Sequence, residues 1–186
     1  MRLPIVKYGD ARLRAKGKRV GKIDDTIRAL AENMLETMRA ARGVGLAAQQ
    51  IGHALQLTVI DVTEVEDLPS TMALNGREVD PREHMPLVLI NPEIEMGPER
   101  IVALEGCLSF PEITADIERA EWSKVKAMAL DGEPVEIEAT GLLARALQHE
   151  IDHLHGVLFI DRMNSAAKAS VSSRLKKLKR ETEAGG

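Results

Sequence analysis

The sequence has a single cysteine, Cys107, so no internal disulfide can form. A lone thiol suits a reducing cytosol. Aromatic residues make up 2% of the chain, too few for a platform that stacks nucleic-acid bases. No charge of one sign dominates. The formal net charge is −4 over 186 residues, so the molecule as a whole is no polyanion binder. No apolar stretch is long enough to span a bilayer. Residues Met1 to Asp10 lack the apolar run of a signal peptide. These absences predict a cytoplasmic protein that neither enters a membrane nor reads a nucleic-acid sequence. Internal repeats are absent too, and the length favours one domain with a sizeable core.

What is there begins with periodicity. Ile23, Ile27, Leu30, Met34 and Met38 recur at spacings of three and four, which predicts an amphipathic helix over 24–42. Asp24 or Asp25 caps its start and Gly43 stops it. Residues 55–62 alternate and are β-branched, so they read as a strand. Residues 64–84 are charged and carry Pro69, Gly76 and Pro81. They read as a surface loop or insertion. Residues 86–92 read as a buried strand ended by Asn91-Pro92. Alternating runs follow at 99–105, 113–119, 123–130 and 134–139, with Asp131-Gly132 as a hairpin signal between the last two.

Residues 141–155 predict a helix that is apolar nearly all round and therefore buried. A last helix spans 165–182, with Ser165 as its candidate cap and a basic face of Lys168, Arg174, Lys176, Lys177, Lys179 and Arg180. The expected fold is α+β, with antiparallel or mixed sheets around a central buried helix and one helix towards each end of the chain. Residues 1–163 make one expected domain and 164–186 a basic helix and tail.

The buried helix carries the chemistry, in the run Gln148-His149-Glu150-Ile151-Asp152-His153-Leu154-His155-Gly156. Residues four apart share a helix face, so His149 and His153 can point two imidazoles at one ion. Glu150, about 100° further round, reaches the ion's water rather than the ion. A core helix whose histidines are satisfied by hydrogen bonds is the competing reading. A catalytic site also needs a third ligand and an open fourth position. His155 points away on a helix. Asp161 and Glu181 offer carboxylates. Cys107, in Glu105-Gly106-Cys107-Leu108-Ser109, offers a thiolate, although a lone cysteine is more often a small buried apolar residue.

Three segments resemble the signature motifs of the peptide deformylase family, in the family's order and without a gap. They are Gly43-Val44-Gly45-Leu46-Ala47-Ala48-Gln49-Gln50, Glu105–Ser109 and Gln148–Gly156. The resemblance runs from Tyr8-Gly9-Asp10 through Asn91-Pro92 to Leu158-Phe159-Ile160-Asp161, or most of the chain to about residue 163.

That resemblance implies one divalent metal held by Cys107, His149 and His153. The family points to Fe²⁺ as the physiological ion, with Zn²⁺, Ni²⁺ or Co²⁺ in preparations, whereas an S/N/N donor set alone suggests Zn²⁺. The implied reaction removes the formyl group from the N-terminal formyl-methionine of nascent polypeptides and releases formate. The metal activates a water, and Glu150 acts as general base and then acid. The Gln50 side chain and the Leu108 backbone N–H are the oxyanion donors. Gly43, Val44 and Gly45 form the edge on which substrate pairs as an added strand. Arg145 lies on the ligand face and reads either as the lip of a methionine pocket or as a surface residue. Asp152 points away from the ligands and pairs with Arg119 by the same resemblance. His53, His84 and His155 carry no role. The basic last helix reads as a docking element for the ribosome, or as a plain solvated helix.

Phe110 stands where the family more usually has a smaller aliphatic, and is expected to narrow the channel beside the metal. Another N-acyl hydrolase and a non-catalytic metal binder are the competing functions. A non-catalytic protein would be expected to have lost Glu150, Gln50 or a ligand, and none is lost.

Overall fold

A computed structural model of the chain describes residues 1–66 and 69–185. The first helix, α1, spans Asp25–Ala40, and the Asp24 carboxylate caps it by accepting from the Ile27 N–H. Its stop differs from expectation. Arg42, not Gly43, takes the left-handed conformation, at φ 58°. The Gly43 N–H then reaches back to the Met38 carbonyl at 2.9 Å. The turn is therefore closed by a residue that pays for its Cβ in the left-handed region.

Among the described residues nine strands follow: β1 (Gly45–Ala47), β2 (Leu57–Ile60), β3 (Met72–Leu74), β4 (Arg77–Val79), β5 (Leu87–Met96), β6 (Arg100–Cys107), β7 (Phe110–Ala120), β8 (Trp122–Met128) and β9 (Pro134–Thr140). Seven form one sheet in the order β1-β2-β5-β8-β9-β3-β4, while β6 and β7 form a separate two-stranded ribbon. All the strand pairings are antiparallel.

Residues 64–84 are not a simple loop. Asp67 and Leu68 lie outside the described residues, but beyond them β3 pairs with β9 and turns into β4. The turn is Asn75-Gly76, both at positive φ (51° and 83°), the geometry of a tight hairpin. Strand β5 also runs further than its sequence suggests. It does not end at Asn91-Pro92 but passes through it, with a register shift between Ile90 and Glu93. The Asn91 side chain pins the Val20 backbone, accepting from its N–H at 2.8 Å and donating to its carbonyl at 2.9 Å.

Helix α2 (Gly141–Leu154) is the centre of the molecule. Leu143, Ala144, Ala146, Leu147 and Ile151 pack into a cluster with Ile60, Leu89, Val125 and Ile137 of the large sheet. Its polar residues look the other way, towards β1 and the ribbon. Helix α3 (Ser165–Ala184) is capped by Asn164 rather than Ser165, since the Asn164 side chain accepts from the Ala167 N–H. Val171, Leu175 and Leu178 seat it in the cluster of Phe110, Ile113, Ile117 and Phe159. Lys168, Arg174, Lys176, Lys177, Lys179 and Arg180 all face solvent. Among the described residues, no helix is long and apolar enough to cross a membrane.

Candidate active site

The α2 periodicity does what the spacing requires. His149 and His153 share one face, edge to face, with ring centroids 5.1 Å apart. Cys107 closes β6 and brings its Sγ to 3.4 Å from His153 Nε2. Donor atoms of Cys107, His149 and His153 all lie within 4.8 Å of one another. One thiol and two imidazoles form a donor set suited to a borderline divalent ion. Burial holds the His153 pKa well below its ordinary value, and the neighbouring His149 charge lowers it further. A neutral imidazole is the form that binds a metal. Burial also opposes charge on His149, but hydrogen bonds to Cys107 and Glu105 outweigh it and raise its pKa well above the ordinary value.

Behind the donors lies a charge hub centred on Glu105. Its carboxylate accepts from Arg119 at 2.6 and 2.9 Å, from Arg145 at 3.0 Å, and from His149 Nδ1. Burial pushes its pKa up, yet the hydrogen bonds from Arg119 and His149 hold it well below the usual carboxylate range. The bond to His149 fixes the ring's orientation and leaves Nε2 for the centre. Arg119 continues to Asp152 at 2.9 Å, and Asp152 takes Arg162 at 2.9 Å. Arg145 also donates to the carbonyls of Ile117 and Ile101, each at 2.9 Å.

Glu150 sits next to the donors, with Oε1 4.0 Å from His149 Nε2. It is 4% exposed, and its Oε2 has no hydrogen-bond partner among the described residues. Burial raises its pKa to about 7, with the His149 charge pulling down and Glu105 pushing up. Gln50 follows β1 in a short 3₁₀ turn. Its Oε1 accepts from the Ala47 N–H at 2.9 Å, and its Nε2 donates to Ser109 Oγ at 3.1 Å and Cys107 Sγ at 3.5 Å. A cavity of about 530 Å³ opens above these groups, bounded by Gly43, Val44 and Gly45 on one side and by residues of the ribbon on the other.

The profile of the polypeptide deformylase family matches residues 2–169. The chain belongs to the peptide deformylase family. A Methylacidiphilum infernorum protein named peptide deformylase is 44% identical over 180 residues, covering 97% of this chain and 94% of that one. An Opitutus terrae protein of the same name is 44% identical over 186 residues, covering 99% and 96%. Among solved structures, a plant peptide deformylase superposes with a TM-score of 0.86 at 36% identity, covering 98% of this chain and 92% of that one. The Thermotoga maritima peptide deformylase gives 0.75 at 43% identity, covering 88% and 99%.

Within this deformylase-family chain, the residues singled out in sequence fall into two groups. Cys107, His149, Glu150, Gln50, Leu108 and Gly43–Gly45 line the cavity, and His153 joins Cys107 and His149 in the donor cluster. Of the two readings of Arg145, its burial rules out the surface residue. It borders the cavity, but it is 6% exposed and its guanidinium is tied to Glu105. Phe110 lines the cavity, where the sequence placed it. Its ring is 1% exposed, stacked on Tyr8 and edge-on to Phe159 at centroid distances of 4.9 Å. It therefore also belongs to the core cluster beneath the cavity. Glu105 and Ser109 had no role in the sequence reading. The one available signal was that both lie in the second motif, two residues either side of Cys107.

Proposed function

We propose that this chain removes the formyl group from the N-terminal formyl-methionine of nascent polypeptides and releases formate. The observation that carries the reading is the convergence of three donors, Cys107, His149 and His153, on a buried carboxylate with an unpartnered oxygen at the floor of a cavity. Cys107, His149 and His153 would hold a divalent ion, which would supply Lewis acidity and the activation of water at neutral pH. Fe²⁺ is the ion we assign in the cell, and Zn²⁺, Ni²⁺ or Co²⁺ can take its place in preparations.

The chain's own groups do the rest. Glu150 accepts a proton at its buried carboxylate and hands it to the leaving amine. The Gln50 amide and the Leu108 N–H donate to the oxygen that gains charge. The Gln50 side chain is pre-set by Ala47 and Ser109, so it loses little freedom on binding substrate. Gly43, Val44 and Gly45 offer the free edge of β1 to an added strand of substrate. Arg145 supports the substrate side of the cavity through Glu105.

The deciding experiment measures formate release from formyl-Met-Ala-Ser beside acetyl-Met-Ala-Ser. The protein is purified anaerobically and loaded with Fe²⁺, with Glu150→Ala as control. Release from the formyl peptide alone, lost in the control, is expected. No release from metal-loaded protein would overturn the reading. Parallel loading with Zn²⁺, Ni²⁺ and Co²⁺ ranks the ions.

The cytoplasm is the compartment we assign, where nascent chains and a reduced Cys107 coexist. We further assign ribosome docking to the solvent-facing basic residues of α3. Co-sedimentation with ribosomes should weaken when Lys176, Lys177 and Arg180 are changed together to glutamate, and should fall with added salt. Retention by the triple variant would remove this role.

A further inference from the structure

The mouth of the cavity is not electrically neutral. Deep inside, Glu105 and Arg145 satisfy each other. Nearer solvent the charged lining groups are Lys7, Arg42 and Glu112. Among the described residues none of the three makes a salt bridge. Both cations border the cavity on either side of its Leu108–Gly43 wall. Lys7 Nζ donates to the Leu108 carbonyl at 3.2 Å. The Leu108 side chain covers Gly43 so closely that a Cβ there would lie 2.6 Å from its Cδ1. Arg42 is the next residue, exposed and with its backbone in the left-handed region. Glu112 belongs to the ribbon side of the mouth.

On this basis we infer that Lys7 and Arg42 form a cationic rim that favours substrates with acidic side chains in the residues following the formyl-methionine. This rests on the deformylase reading. The methionine end must sit by Glu150, and Glu150 abuts Gly45. An extended chain advances about 3.3 Å per residue. Laid along β1 towards solvent, its next residues pass Val44, Gly43 and Arg42. A carboxylate there meets two unpaired cations, and an ammonium meets their repulsion. Such contacts act at partly solvated sites, so their effect is moderate and salt-dependent.

The test compares formyl-Met-Glu-Glu-amide with formyl-Met-Lys-Lys-amide, the amide removing the terminal carboxylate. With metal-loaded protein at low salt, kcat/KM should favour the acidic peptide by about tenfold. That ratio should collapse towards one in Lys7→Gln/Arg42→Asn and in about 0.5 M salt. It should reverse in Arg42→Glu. Asn tolerates the left-handed backbone, so the double variant keeps the turn. A ratio within about twofold of one in the native protein, or a preference that survives the double variant, overturns the rim. The two peptides' Kd values for metal-loaded Glu150→Ala give a second reading of the same ratio. If the native protein releases no formate from either peptide, the deformylase reading falls, and the Kd ratio alone decides the rim.

Discussion

Gly45 keeps open the space that Glu150 occupies. A Cβ on Gly45 would lie 2.5 Å from Glu150 Oε1 and 2.7 Å from its carboxyl carbon. Gly45 is in extended β1, so the requirement is room and not an unusual backbone angle. Gly45→Ala should push the carboxylate off its position while leaving the three donors alone. A shift of about 1 Å in a catalytic group costs on the order of a hundredfold. We expect kcat to fall by about that factor with metal content unchanged. A Gly45→Ala protein with native kcat would show that Glu150 has slack we have not credited.

Gln50 offers a cleaner separation of roles. Its oxygen anchors it to Ala47, and its nitrogen faces Ser109 and Cys107. Gln50→Glu keeps the acceptor for Ala47 and removes the donor. Gln50→Ala removes both. If donation to the developing oxyanion is the function, both variants should lose roughly 10²- to 10³-fold in kcat. Native activity in Gln50→Glu would reduce the residue to an anchor for the β1 turn.

The sequence was most legible where contacts are local. The α1 stripe and the His149/His153 pair follow from a 3.6-residue period, and both lie where that period puts them. Asn75-Gly76 was a readable hairpin signal. The strands beside it have three residues each, too short to display the alternation that would mark them as strands. Asn91-Pro92 misled because a proline in a strand reads as an end, whereas a bulge absorbs it here. The Glu105 hub was illegible for a different reason. Its partners Arg119, Arg145 and His149 lie 14, 40 and 44 residues away in sequence. Only the packing of the ribbon against α2 brings them together, and no local pattern encodes that.

Glu105 therefore makes a sharp test. Glu105→Gln keeps the shape but removes the negative charge between Arg119 and Arg145, which are 5% and 6% exposed. Leaving the buried Arg145 without its counter-charge, and Arg119 with Asp152 alone, should destabilise the fold by about 3–5 kcal/mol. It also frees the His149 ring, so metal affinity should fall about 10- to 100-fold. Thermal melting and competition against a chelator read the two effects separately. Unchanged metal affinity in a destabilised variant would confine Glu105 to the fold.

The last prediction concerns pH and the metal-free protein, because a bound cation would pull the Glu150 pKa down. Burial raises that pKa from 4.5 to about 7. The folded chain thus holds the proton more tightly than the unfolded chain. Below about pH 4.5 both states are protonated, and the contribution to stability is fully present. As pH rises the unfolded chain ionises first, so stability drains away until the folded carboxyl ionises near pH 7. Glu150→Gln, with a neutral amide in the same place, has nothing to lose across that window. In chelator, its melting temperature should pull ahead of the native protein's between about pH 4.5 and 7 and then hold a constant lead, worth roughly 3 kcal/mol. Parallel melting curves from pH 4 to 8 would mean that Glu150 is solvated in the metal-free protein. Its readiness to exchange a proton near neutrality would then have to come from the bound ion and not from the fold.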